Sequence, residues 1–248
     1  MALPPPREII LERAHVMSPT VRSMTFRLMD GEPFRFRAGQ WVSLVLPILS
    51  DGSPGETPRG TRTIRAYSIA SPPRGDATFD LAVTRVSDGP ASDFLHGLAP
   101  GERLHLTGPF GTFLLHQPIQ RPIAMIATGT GVAPFRSMLH ELLGKGQSPV
   151  DIELIFGVRS EADILYRDEF EAWRKDNAGF RFTPTLSRPS AGWSGSTGYV
   201  QAVAEGLLVP HRPVDVYVCG VRKMVNDVRA RLRSWGYDRK QVHYERYD

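Results

Sequence analysis

The chain has 248 residues, enough for one large domain or two modest ones that each bury a workable core. With 41% hydrophobic and 23% charged residues it has the balance of an ordinary globular protein, and no apolar run approaches the roughly 18 residues that a membrane span needs. The net charge is +4, and the single cysteine, Cys219, excludes an intrachain disulfide framework, an iron–sulfur cluster held by four thiolates and a Cys-rich zinc site. The seven histidines are scattered with no pair at metal-ligand spacing, so no metal is expected. Met1-Ala2-Leu3-Pro4 opens no basic-then-apolar leader, and the expected compartment is the cytoplasm. The positive charges form no run and no nucleic-acid motif. They read either as a solvated surface or as an attraction for acidic partners, whether nucleotide phosphates or an acidic carrier protein.

From Arg7 to about Gly108 apolar residues alternate and turn residues interrupt often. Ile9–Val16, Val21–Leu28, Trp41–Pro47, Ile64–Ala70, Phe79–Val86 and Arg103–Thr107 read as strands, six in about a hundred residues, which predicts a small antiparallel barrel. Gly52, Pro54, Gly55, Pro58 and Gly60 mark Ser50–Thr63 as a loop. Asp88-Gly89-Pro90-Ala91-Ser92 leads into a short helix at Ala91–His96. Two stretches here carry chemistry. On a strand, Arg65 and Tyr67 share a face while Ser68 points to the other unless the strand ends there. A guanidinium beside an aromatic ring suits a phosphorylated planar ligand, although an exposed Arg and a packed Tyr give the same pattern. The backbone N–H groups and hydroxyl of Gly89-Pro90-Ala91-Ser92 suit an anion at a helix start, or serve as a plain cap.

Beyond Pro118 strands alternate with helices. Ile123–Ala127 is a buried strand that stops at Thr128-Gly129-Thr130-Gly131. An amphipathic pattern follows through Val132, Phe135, Leu139, Leu142 and Leu143, with Pro134 in its first turn. Strand, glycine turn and helix start aim free N–H groups at a phosphate, and Gly129 and Gly131 would let the backbone approach it closely. Pro134 stands where G-x-G-x-x-G has its third glycine, so an ordinary tight turn remains the alternative. Strands at Ile152–Phe156, Phe180–Leu186, Val214–Cys219 and Val242–Arg246, with helices at Arg167–Lys175, Val200–Gly206 and Met224–Trp235, complete a doubly wound α/β domain. Its ligand crevice is expected at the strand ends: Thr128–Val132, Gly157-Val158-Arg159-Ser160, Leu186-Ser187-Arg188 and Cys219-Gly220-Val221. The expected domains are 1–116 and 117–248.

Taken together, these motifs resemble those of the ferredoxin–NADP reductase superfamily over nearly the full chain. Arg65-x-Tyr67-Ser68 resembles its flavin motif, and Phe36-Arg37-Ala38-Gly39-Gln40 its preceding P-G-Q turn. Gly89-x-x-Ser92 resembles the flavin pyrophosphate site, and Gly108-Pro109-Phe110-Gly111 the end of the flavin barrel. Gly129-Thr130-Gly131-x-Ala133-Pro134 resembles the pyridine-nucleotide loop, where the proline is a family feature. Cys219-Gly220 followed by Met224 resembles the element beside the nicotinamide.

The resemblance implies a flavin-dependent NAD(P)H oxidoreductase, with FAD rather than FMN. It implies that Tyr67 stacks on the flavin, Ser68 hydrogen-bonds near N5, and Arg65 and Ser92 hold the pyrophosphate. Cys219 and Glu245 would orient nicotinamide and relay protons. Tyr247 would cover the other flavin face and move aside for the nicotinamide, although Asp248 extends the chain past it. Ser187-Arg188, with Arg159, resembles the reader of the 2′-phosphate, and Tyr199-Val200-Gln201 the adenine-stacking segment. Thr197 stands where plant-type members carry lysine, and arginine also covers adenine in NADH enzymes; NADPH is the expected nucleotide, NADH the alternative. The implied acceptors are ferredoxin or flavodoxin, then an oxygenase component, then free flavin. A flavin-binding subunit that works only within a complex is the non-enzymatic alternative, and a siderophore-interacting reductase fits the Glu245-x-Tyr247 ending poorly.

Overall fold

The computed structural model describes residues 4–48, 63–144 and 148–247. The loop expected at Ser50–Thr63, apart from Thr63 itself, and Asp248 lie outside them. The chain divides into two compact units, Met1–Leu114 with Arg136–Met138, and Leu115–Phe135 with Leu139–Asp248.

The first unit contains β1 (Arg7–Ser18), β2 (Val21–Leu28), β3 (Trp41–Leu46), β4 (Thr63–Ser68), β5 (Thr78–Thr84), α1 (Pro90–Gly97) and β6 (Arg103–Phe110). The strands form one antiparallel sheet in the order β4-β3-β6-β1-β2-β5. A bridge between Ile69 and Leu81 ties the chain just past β4 to β5 at the opposite edge, so the sheet curls toward closure. Alternation drives this: in β3, Val42, Leu44 and Leu46 turn inward and are fully buried while their neighbours are half-exposed. They meet Ile9, Leu11, Phe26, Phe34, Phe79 and Leu106 in one core, each large side chain contributing roughly 1.5–3 kcal/mol. One carboxylate lies within this unit's interior. Asp80, 8% exposed, is held by Arg74 at 2.5 Å and by the Thr25 hydroxyl at 2.8 Å.

The second unit contains β7 (Ile123–Thr128), α2 (Ala133–Leu143), β8 (Ile152–Val158), α3 (Arg167–Asp176), β9 (Phe180–Leu186), β10 (Ser196–Thr197), α4 (Val200–Leu208), β11 (Asp215–Val221), α5 (Arg222–Ser234) and β12 (Val242–Tyr247), with 3-10 turns at Gly129–Val132 and Glu161–Asp163. All six strands are parallel, in the order β10-β9-β8-β7-β11-β12. The uninterrupted apolar run of β7 suits its central place, because a parallel strand with helices on both sides buries both its faces. Ala124, Ile126, Ile155, Val216 and Val218 pack under α4 and α5. Phe180 and Phe182, in register with Ile152 and Leu154, pack under Trp173 and Phe170 of α3 on the opposite face. His140 of α2 meets Trp173 edge-on at 4.8 Å. The sheet is doubly wound. The two 3-10 turns and the two-residue β10 carry no periodic apolar signal and are not foreseen by the sequence pattern.

Chain order reverses beside β7: the chain first steps to β8 and β9 on one side, then returns as β11 on the other. The C-terminal ends of β7 and β11 therefore flank the switch point, where open α/β sheets bind ligands.

Candidate active site

In the barrel unit, β4 ends at Ser68, which is buried and pairs with Trp41. The register sets Arg65 opposite Leu44 and Tyr67 opposite Val42, so Arg65 and Tyr67 do share a face. Tyr67 is half-buried against the barrel core. Burial raises its phenol to about 12, opposed by the charge of Arg65, so the ring presents a neutral hydroxyl. Arg65 is exposed. Its guanidinium reaches the Ile64 carbonyl at 2.9 Å and meets no carboxylate among the described residues, so it is available to an anion.

The structure changes the reading of the next motif. The N-cap of α1 is Gly89, without a side-chain cap, and Asp88 is left-handed at φ +56°. The Ser92 hydroxyl accepts the Val86 N–H at 3.0 Å and donates to the Gly89 carbonyl at 2.9 Å. It braces its own loop, and the helix geometry leaves the first-turn N–H groups of Ala91 and Ser92 without an intrahelical acceptor, the donors that a pyrophosphate at this end could use. At the other end of α1, Arg22 Nη1 lies 3.0, 2.9 and 2.8 Å from the carbonyl oxygens of Leu95, His96 and Leu98. No local signal in the sequence marks Arg22, because its partners lie more than 70 positions away. Nor does any local signal mark Trp41. The Trp41 ring packs tilted against Phe110 at 5.0 Å and covers Gly111, where a Cβ would come within 2.7 Å of it. Trp41 thus stands next to Ser68 across the ladder. Gly39, at φ +97°, makes the preceding turn, and a Cβ there would lie 2.0 Å from the Phe113 carbonyl.

In the α/β unit, the chain leaves β7 through Thr128, whose Oγ1 is buried without a partner. Gly129 follows at φ +54° with open space where a Cβ would go. Gly131 answers a packing need that the sequence pattern does not show. A Cβ there would lie 2.4 Å from the Cys219 carbonyl and 2.7 Å from Gly220 Cα, so this glycine lets the 3-10 turn press on β11. Gly220, at φ +147°, likewise gives way to Thr128 Oγ1, which would lie 2.4 Å from its Cβ. The turn runs into α2 at Ala133, with Pro134 in the first turn.

Cys219 is fully buried, paired in register with Ala127 on one side and Glu245 on the other. Burial first, and then the charge of Glu245, push its thiol well above the usual range, partly offset by a hydrogen bond with Tyr247. The Tyr247 hydroxyl also reaches the Thr130 carbonyl at 3.5 Å. Because the folded thiol holds its proton, Cys219 should resist iodoacetamide at pH 8.5 in the native protein and react in guanidinium. Intact-mass measurement reads both states, and native alkylation within minutes would contradict this.

At the ends of β8 and β9, Arg188 N–H donates to the Arg159 carbonyl at 2.8 Å and Ser187 N–H to that of Val158 at 3.0 Å. This brings Arg159 and Arg188 side by side, both exposed and neither facing a carboxylate among the described residues. Ser160, beside them, is engaged in a capping box with Asp163. Tyr199 precedes α4 and is 73% exposed, an open aromatic face. Among the described residues no His/Cys/Asp/Glu group could hold a metal, and no helix is long and apolar enough to cross a membrane.

These features fit two groups. The free guanidinium of Arg65, the face of Tyr67 and the start of α1 suit a flavin dinucleotide. The orphaned Thr128 hydroxyl, the open face of Gly129 and the start of α2 suit a nucleotide phosphate.

Comparison with known proteins assigns the two halves of the chain at the level of domains. An oxidoreductase FAD-binding domain model matches residues 8–114, and an oxidoreductase NAD-binding domain model matches residues 125–230. The chain is 44% identical over 254 residues to ferredoxin–NADP reductase B of Sorangium cellulosum, covering 98% of each. It is 31% identical to the phenol hydroxylase P5 protein of Acinetobacter pittii, over 93% of this chain and 62% of that protein. The crystal structure of Amycolatopsis cytochrome P450 reductase GcoB superposes with a TM-score of 0.84 at 28% identity, covering 98% of this chain and 70% of that one. The chain belongs to the ferredoxin–NADP reductase-like family of flavoprotein oxidoreductases, with an FAD-binding and an NAD(P)-binding domain.

Proposed function

We propose that this protein carries electrons between NADPH and a one-electron acceptor of the ferredoxin or flavodoxin kind, in the cytoplasm. Residues 1–116 hold the flavin and residues 117–248 the nucleotide. A flavin held there would supply the exchange between a two-electron hydride donor and a one-electron acceptor. The chain's residues bind and orient. Arg65 and the N–H groups at the start of α1 hold the pyrophosphate, with Gly89 and Ser92 shaping that loop. Tyr67 stacks on the ring system, and Ser68 offers a hydrogen bond near its N5. Thr128, Gly129 and Thr130 receive the nucleotide phosphates at the start of α2, where Ala133 and Pro134 set the first turn and Gly131 and Gly220 allow the close packing behind them. Tyr199 stacks on adenine. Cys219, protonated, and Glu245 orient the nicotinamide, and Tyr247 closes over them until the nucleotide enters.

What supports the choice of NADPH is two exposed arginines, Arg159 and Arg188, whose main chains are joined by a hydrogen bond next to Ser187 and which meet no carboxylate among the described residues. A charge-assisted bond to a 2′-phosphate is worth about 1.5–3 kcal/mol. The acceptor class rests on the relatives, and the 44% identity to a ferredoxin–NADP reductase against 31% to an oxygenase protein favours the former. Steady-state reduction of ferricyanide tests this reading. Arg188→Ala should raise the KM for NADPH at least tenfold and leave that for NADH within about threefold. A wild-type kcat/KM higher for NADH, with both nucleotides equally affected by Arg188→Ala, would overturn it.

A further inference from the structure

The loop that begins at Arg188 has a single anchor. From Arg188 to Gly195, Trp193 is half-buried and every other residue is exposed. The Trp193 backbone N–H donates to the Ser190 carbonyl at 3.1 Å, and its Nε1–H donates to the Ser196 carbonyl at 2.9 Å. Ser196 opens β10, which is only two residues long and pairs with Thr185 and Leu186 of β9. Gly195 passes close over the indole, where a Cβ would lie 2.4 Å from Cζ2. The Arg167 guanidinium lies 6.0 Å from the centre of the same ring. Arg167 opens α3 and is paired at 2.5 Å with Glu161, on the turn that follows Arg159 and Ser160. One indole therefore links the exit of β9, with Arg188, to the exit of β8, with Arg159.

Ordering an exposed stretch of chain costs about 1–2 kcal/mol per residue in backbone freedom. A guanidinium makes its full charge-assisted bond to a phosphate only where its planar fork is already in place. We propose that Trp193 is the positioning residue for recognition of the 2′-phosphate. Its indole holds the β9–β10 loop, so that the Arg188 side chain leaves that loop from a fixed point beside the main chain of Arg159. The inference rests on the choice of NADPH made above. Tyr199, assigned to adenine, is anchored without this loop. The Gly198 N–H donates to the Leu186 carbonyl at 2.8 Å, and Val200 is buried over Gly157, where a Cβ would lie 2.5 Å from its Cγ1. Loss of the indole should therefore loosen the hold on the 2′-phosphate and spare that on adenosine.

The test titrates the full flavin-loaded protein calorimetrically with two probes, adenosine 2′,5′-bisphosphate and AMP. Trp193→Leu should weaken the Kd for the bisphosphate about fivefold or more and leave that for AMP within about twofold. In NADPH–ferricyanide turnover the same variant should raise KM and keep kcat within about twofold. Trp193→Phe keeps a ring beside Gly195 and Arg167 but no N–H, and should fall between wild type and Trp193→Leu, which guards against misfolding of the Leu variant. Gly195→Ala sets a Cβ against the indole. It should weaken the bisphosphate in the wild-type background and add nothing to Trp193→Leu. Equal weakening of both probes in Trp193→Leu, or an unchanged Kd for the bisphosphate, would overturn the proposal. If wild-type protein holds the two probes equally well, the choice of NADPH falls and the role of Trp193 falls with it. A preference for the bisphosphate that Arg188→Ala abolishes and Trp193→Leu leaves intact removes Trp193 alone.

Discussion

Replacing Gly131 with alanine is expected to abolish efficient use of NADPH while leaving the flavin in place. The new Cβ would lie 2.4 Å from the Cys219 carbonyl oxygen and 2.7 Å from both the Cys219 carbonyl carbon and Gly220 Cα. These are backbone atoms of the strand that borders the switch point and cannot swing away as a side-chain tip would. The turn must lift off β11, at a cost of about 3 kcal/mol, the upper part of the range for overpacking a well-filled interior. The lift moves the very N–H groups assigned to the nucleotide phosphates, so the KM for NADPH should rise more than tenfold. Gly129→Ala is the internal control. It meets nothing within 4 Å, and its φ of +54° costs about 1–2 kcal/mol for an L-residue, so a smaller effect is expected. Denaturation midpoints and NADPH kinetics of the two variants check this. Equal losses in both would contradict the packing role given to Gly131.

Arg22→Ala should release FAD more than it lowers the stability of the apoprotein. Its Nη1 serves three carbonyls at the C-terminal end of α1, the end where a cation also complements the helix dipole. Losing a charged donor from partly buried acceptors costs about 1.5–3 kcal/mol. The helix it secures is eight residues long and carries the proposed pyrophosphate donors at its other end, so loosening one end frees the other. A tenfold or greater rise in the Kd for FAD is expected. Arg22→Lys should recover little, because a single ammonium on a flexible stem does not reproduce the guanidinium's placement among the three carbonyls. Unchanged FAD affinity with a lowered Tm would reduce Arg22 to a general stabiliser.

Much of the architecture is legible from periodicity. The two-residue alternation of Val42, Leu44 and Leu46 and the unbroken apolar run of Ile123–Ala127 specify a half-buried and a doubly buried strand respectively. Local motifs likewise point to Arg65–Ser68 and Thr128–Pro134. What the sequence hides is which glycine does what. Gly129 and Gly131 look alike in the chain, yet one faces open space and the other a carbonyl some 90 positions away, a distinction that exists only once β11 lies beside β7. The same holds for Ser92, which reads as an anion ligand and is turned instead on its own loop.

Anaerobic titration of the flavin-loaded protein with NADPH reads the transfer of electrons from nucleotide to flavin itself. The flavin absorbance near 450 nm should bleach at about one equivalent of NADPH per flavin and return on adding an oxidised one-electron acceptor. A protein that binds FAD yet keeps its absorbance under excess NADPH and NADH would contradict it.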